Sequence, residues 1–218
     1  MTMRQFCVIS GGAIEDAFVC RMLEEQRPET IIAADFGLEF LYRNRIKPQV
    51  VIGDFDSAGR EAFDFFQGQP DIKIHRLNPI KDDTDTESAV RLAITMGAEA
   101  ITLFGATGSR LDHVLGNIEL LGIGLEAGVP ITLMDAHNRI RMLKAGIVLK
   151  KEEQFGNYVS LIPYTEHVEH LYLRGMKYPL SDHCLKGFCS LGISNEIVEE
   201  EAAIEFDGGV LLLIESRD

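Results

Sequence analysis

The first 135 residues alternate short apolar runs with longer amphipathic stretches, and few folds accommodate that alternation. Strands are expected over residues 6–10, 30–35, 49–54, 72–77, 100–105 and 130–135. These runs are short, apolar and rich in Val and Ile, the composition of strands covered on both faces. Helices are expected between them. One aligns Ile14, Ala17, Phe18 and Met22 on a single face, and another aligns Ala89, Val90, Ala93 and Ile94. Repeated strand–helix–strand units build a parallel sheet flanked by helices, which is an α/β domain.

From about Asn138 the pattern changes. Residues 158–163, 170–173, 203–206 and 210–214 read as strands with no helix between them. Phe206-Asp207-Gly208-Gly209-Val210 signals a hairpin joining the last two, because glycine permits the positive φ of such turns. A smaller antiparallel β domain is therefore expected at 138–218, after an α/β domain at 1–137. Glu199-Glu200-Glu201 reads as a solvated turn.

Charge and composition narrow the function. A formal net charge of −13 argues against a nucleic-acid partner, which requires clustered Lys and Arg. No run is long and apolar enough for a membrane span, and the start Met1-Thr2-Met3-Arg4-Gln5 lacks the form of a signal peptide. Cys7, Cys20, Cys184 and Cys189 show neither CxxC pairing nor zinc-ligand spacing. They read as thiols in a reducing cytoplasm.

Polar residues collect where the expected strands end, the rim on which open parallel sheets bind ligands. The first strand runs into Ser10-Gly11-Gly12, the second ends at Asp35 and the third at Asp54. In Gly53-Asp54-Phe55-Asp56-Ser57 the two carboxylates lie two residues apart, so an extended backbone points both to one side. Such a pair resists ionisation unless a cation lies between them, and a hard oxygen-ligated ion such as Mg²⁺ suits it. Capping of the next helix is the alternative reading of the same pair. A second acidic motif, Lys81-Asp82-Asp83-Thr84-Asp85-Thr86-Glu87, carries capping-box spacing between Thr84 and Glu87. Capping does not account for three aspartates in four positions. Asp85 can both suit the helix dipole and serve as a third metal ligand.

The fifth strand opens into Gly105-Ala106-Thr107-Gly108-Ser109-Arg110-Leu111-Asp112-His113, with Asn117 one helical turn beyond His113. A glycine-rich turn before a helix lets backbone N–H groups approach an anion. Arg110 can clamp phosphate oxygens with two parallel hydrogen bonds. Neither GxGxxG nor GxxxxGK[ST] is present. With so acidic a chain, phosphate binding calls for a divalent metal between carboxylates and ligand.

Taken in order along the chain, these motifs resemble the thiamine pyrophosphokinase family. The resemblance rests on Ala33-Ala34-Asp35, Ile46-Lys47-Pro48, Ile52-Gly53-Asp54-Phe55-Asp56-Ser57, Asp82-Asp83-Thr84-Asp85 and the Gly105–His113 segment. It continues through Leu161-Ile162-Pro163, Gly175-Met176-Lys177-Tyr178-Pro179-Leu180 and Gly192-Ile193-Ser194-Asn195-Glu196. It implies a Rossmann-like N-terminal α/β domain binding ATP, a C-terminal β-sandwich binding thiamine, and a homodimer. It further implies that Asp54, Asp56 and Asp85 hold Mg²⁺, that Arg110 binds the polyphosphate with help from Lys81, and that Asp112 lies close to the reacting phosphates. Ser10, Gly11, Gly12, Asp35 and Thr84 would line the nucleotide side, with His113 and Asn117 on the following helix. Ser194 and Asn195 would face thiamine. The chain departs from the family pattern at Phe36, where a second glycine is common, and it has no tryptophan.

The expected reaction moves the pyrophosphoryl group of ATP to the thiamine hydroxyl, releasing AMP. Asp112 would orient or deprotonate that hydroxyl, while His113 is open to phosphate or adenosine contact. Three other readings are weighed against this one. They are a pyrophosphokinase acting on another alcohol such as a hydroxymethylpterin, a haloacid-dehalogenase-type phosphatase, and a non-catalytic sensor. The phosphatase needs a downstream GDxxxD pair that the sequence lacks.

Overall fold

The computed structural model describes residues 3–55, 60–78, 80 and 82–218. The chain divides into two compact units, Met1–Ala136 and His137–Asp218. The first contains β1 (Gln5–Ile9), α1 (Asp16–Gln26), β2 (Thr30–Ala34), α2 (Gly37–Arg43), β3 (Val50–Gly53) and α3 (Arg60–Gln67). It continues with β4 (Lys73–Arg76), α4 (Asp85–Thr95), β5 (Ala100–Phe104), α5 (Leu111–Ala127) and β6 (Ile131–Met134). The six strands pair in parallel in the order β4-β3-β2-β1-β5-β6.

The central strands carry the core. Phe6, Cys7, Val8 and Ile9 of β1 and Val50, Val51 and Ile52 of β3 are buried, as both-face covering requires. The fourth strand differs from expectation. It is the sheet's edge, and of Lys73-Ile74-His75-Arg76 all but Ile74 are exposed. The first helix also differs, because it begins at Asp16 and not at Ile14. Its buried face is Phe18, Val19 and Leu23, while Ala17 is exposed. Asp16, its first residue, accepts hydrogen bonds from Arg43 and Asn44 at the end of α2.

The second unit contains β7 (Asn138–Leu143), β8 (Ile147–Lys150), β9 (Tyr158–Pro163), β10 (His167–Arg174), β11 (Leu180–Lys186), β12 (Glu201–Glu205) and β13 (Leu211–Ser216). Strands β7, β13 and β9 pair antiparallel in that order, and β11, β10, β12 and β8 form a second antiparallel sheet. Their inner faces meet in one core that includes Val159, Leu161 and Leu213 from the first sheet and Val168, Leu171, Leu185 and Ile204 from the second. This is a β-sandwich.

The expected hairpin at Gly208-Gly209 is not one. Strand β12 pairs with β10 and β8, and β13 pairs with β7 and β9, so the turn carries the chain from one sheet to the other. Gly209 does adopt positive φ, at 87°, and a Cβ there would fall 2.4 Å from the His167 carbonyl oxygen. The glycine is required by a crossover pressed against β10. Glu215 of β13 is fully buried and takes ion pairs from both Arg139 and Arg141 of β7, which lets a charge sit inside the sheet.

Candidate active site

The chain runs outward through β1, β2, β3 and β4 and then returns to lay β5 on the other side of β1. Order reverses between β1 and β5, and a crevice opens beyond their carboxyl ends. A cavity of about 830 Å³ fills it, lined by the loops after β1, β2 and β5 and by the starts of α4 and α5.

Two glycines let the loops close on each other. Gly12 N–H donates to the Gly105 carbonyl at 2.7 Å and Ala13 N–H to the Thr107 carbonyl at 2.7 Å. A Cβ on Gly12 would stand 2.2 Å from Thr107 O, and one on Gly105, at φ 65°, would stand 2.2 Å from Ser10 O. Behind this seam the Ser10 and Thr86 hydroxyls hydrogen-bond at 2.6 Å, both buried. Thr84 caps α4, its side chain accepting from Glu87 N–H at 3.1 Å. The capping reading of that motif is therefore correct as far as Thr84 goes, and it leaves Asp85 in the first turn facing the cavity.

Asp35 and Asp85 line the cavity, and Asp54 converges with them. Each offers a carboxylate oxygen, and the three oxygens lie within 4.8 Å of one another. Asp56 and Lys81, expected at this site, fall outside the described residues. Asp35 enters the cluster in addition to Asp54 and Asp85; reading it only as a nucleotide-side residue missed this. Ala34 pairs with Ile52, so β2 and β3 end side by side and their terminal aspartates leave the sheet together. Asp35 holds φ 46° and Phe55 φ 61°, both in the left-handed region that ordinary residues rarely occupy. Three like charges this close favour a bound cation, and oxygen donors on a half-buried rim suit a hard divalent ion.

At the start of α5, Arg110 donates to both oxygens of Asp112, at 3.2 Å from Nε and 2.6 Å from Nη2. This pairing holds the Asp112 carboxyl down at about 2, assisted by hydrogen bonding to the His113 backbone. A carboxylate so acidic is a weak proton acceptor and a good fixed charge. Arg110 and His113 line the cavity and are exposed. Asn117 is buried, and its amide donates to the Ala106 carbonyl at 2.8 Å. It pins the glycine-rich loop from below.

In the second unit, Ser194 is exposed with φ 57°, and its N–H donates to Ser160 Oγ. Asn195 is buried and clamps Tyr178 from both sides. Its Oδ1 accepts from Tyr178 N–H at 3.0 Å, and its Nδ2 donates to the Tyr178 carbonyl at 2.8 Å. The Tyr178 side chain, held by this clamp, is exposed. No helix among the described residues is long and apolar enough to cross a membrane.

Comparison with known proteins agrees along nearly the whole chain. Residues 23–133 match the family described as Thiamin pyrophosphokinase, catalytic domain, and residues 145–211 match Thiamin pyrophosphokinase, vitamin B1 binding domain. A relative named Thiamine pyrophosphokinase from Bacillus subtilis is 34% identical over 188 residues, covering 86% of this chain and 87% of its own length. The crystal structure of Thiamine pyrophosphokinase from Bacillus subtilis superposes with a TM-score of 0.88 at 32% identity, over 98% of this chain and 99% of that one. Thiamin pyrophosphokinase from Geobacillus thermodenitrificans gives 0.84 at 32% identity, over 98% of each chain. With its carboxylate-rimmed cavity, its β-sandwich and these two successive matches, the chain belongs to the thiamine pyrophosphokinase family.

Proposed function

We propose that the chain transfers the pyrophosphoryl group of ATP to the hydroxyl of thiamine, giving thiamine diphosphate and AMP. The observation that carries this reading is the pair of family matches, catalytic and vitamin B1 binding, falling one in each unit. The first unit would bind ATP and the second thiamine. A homodimer in the cytoplasm is the assembly and setting proposed with it.

Asp35, Asp54 and Asp85 would hold Mg²⁺, with Asp56 joining them; the 4.8 Å spacing of the first three oxygens supports this set. When bound, the ion would offset phosphate charge and so lower the cost of bringing a polyphosphate to an acidic rim. The seam of Gly12 and Gly105 lets the backbone come close to phosphate oxygens, and the start of α5 offers its N–H groups to them. Ser10, Gly11, Thr84 and Lys81 would complete the nucleotide side.

The thiamine hydroxyl oxygen would bond to the β-phosphorus as the bond from that phosphorus to the bridging oxygen of AMP breaks. Such transfer depends on positioning and charge stabilisation more than on covalent help. Arg110 would keep Nε and Nη2 on Asp112 and offer its remaining donors to the phosphates, and His113 would stand beside it. Asp112, held acidic by Arg110, would orient the hydroxyl more than accept its proton. Ser194 and Asn195 would serve thiamine, Asn195 by fixing the exposed Tyr178 ring as a flat face for the vitamin.

The test is AMP release from ATP and Mg²⁺ with thiamine, set against the same mixture with a hydroxymethylpterin. Thiamine-dependent AMP formation is expected. AMP release only with the pterin would overturn the substrate assignment.

A further inference from the structure

We infer that Arg76 grips the terminal phosphoryl of the nucleotide beside the carboxylate cluster, an inference that rests on the pyrophosphokinase reading above. Arg76 is the last residue of β4 and pairs in register with Gly53, so it leaves the sheet on the same rim as Asp54. Its guanidinium carbon lies 5.9 Å from the centroid of the Phe55 ring and 5.2 Å from that of Phe63. Those two rings lie 4.3 Å apart at 34°, forming one tilted platform. Phe55 follows Asp54 directly in the left-handed conformation noted above, and that turn brings the ring to the guanidinium.

The arrangement leaves the useful part of the side chain open. Aromatic rings engage the faces of a guanidinium, whereas its N–H donors point outward in the plane and remain available for a bidentate phosphate contact. Among the described residues of this unit, Arg4, Arg43, Lys47 and Arg91 are paired with Glu29, Asp16, Asp71 and Glu87. Arg76 is exposed and, among the described residues, pairs with no carboxylate. A triphosphate carries more charge than one divalent ion offsets, and a rim cation beside Asp54 answers the remainder. The terminal phosphoryl of ATP travels with the transferred group and becomes the end of the diphosphate product. Arg76 would therefore hold ATP and product alike, and would not touch AMP.

The experiment measures binding of ATP, thiamine diphosphate and AMP, each with Mg²⁺, to the full chain and to Arg76→Ala and Arg76→Lys. Arg76→Ala is expected to weaken ATP and thiamine diphosphate about tenfold each and to leave AMP within about twofold. Arg76→Lys, which keeps the charge and loses the fork, should fall between. Unchanged ATP affinity in Arg76→Ala, or equal losses for ATP and AMP, would overturn the assignment. A parent chain that releases no AMP with thiamine would instead overturn the function beneath it, so the two failures are distinguishable.

Discussion

The hydroxyls of Ser10 and Thr86, 2.6 Å apart and both buried, join the end of β1 to the first turn of α4 and thereby set where Asp85 stands. Ser10→Ala removes one partner and leaves the other hydroxyl buried without it. The expected cost is about 1–3 kcal/mol of folding stability, read from a urea or guanidinium denaturation midpoint. A midpoint equal to that of the parent would mean the bond holds nothing.

Arg110 governs the acidity of Asp112. The pairing lowers the Asp112 carboxyl to about 2, so this group stays ionised down through the ordinary carboxylate range. Whatever the pair contributes is present above the unfolded carboxyl value and is lost only as pH falls toward about 2. Arg110→Gln should move the Asp112 titration upward into the usual range, followed by carboxyl NMR. An unmoved midpoint would show that another group holds it.

In the β-sandwich, two residues in left-handed conformation face each other across a paired irregularity of β10 and β11. His170 Nδ1 and Asp182 Oδ1 lie 2.6 Å apart, at φ 51° and 50°. The hydrogen bond to Asp182 raises the His170 pKa, with Asp207 and Glu169 adding to it. The contact is thus fully present below the ordinary imidazole value and fades as pH rises through the raised one. In Asp182→Asn the His170 midpoint, measured by NMR, should drop below that of the parent chain.

Much of the fold could be read from local chemistry. Runs such as Val50-Val51-Ile52 announce buried parallel strands because short β-branched runs bounded by turn residues suit a strand covered on both faces. Strands β7, β8 and β11 went unseen for the opposite reason. Asn138–Leu143 carries two arginines whose charge is answered by Glu215, far along the chain, and Leu180–Lys186 is half polar because it edges its sheet. Gly208-Gly209 marks a turn correctly, yet a turn's residues do not say which sheet the next strand joins. At the site, Asp54 and Asp85 stood out by motif, whereas Asp35 joins them through strand register that no local pattern displays. Asn117, which lines the cavity, and Asn195 also hold the Ala106 and Tyr178 backbones, a role set by burial that the sequence does not display.

Asp35, Asp54 and Asp85 are proposed to hold the Mg²⁺ on which pyrophosphoryl transfer depends. The most direct measurement is the rate of AMP and thiamine diphosphate formation from ATP and thiamine, titrated with Mg²⁺, for the parent chain and for Asp54→Asn. Turnover is expected only with the divalent ion. A loss of about 100-fold or more is expected in the variant, with its melting temperature kept, since a ligand and no packing is removed. Turnover that ignores Mg²⁺, or survives intact in Asp54→Asn, would contradict this assignment.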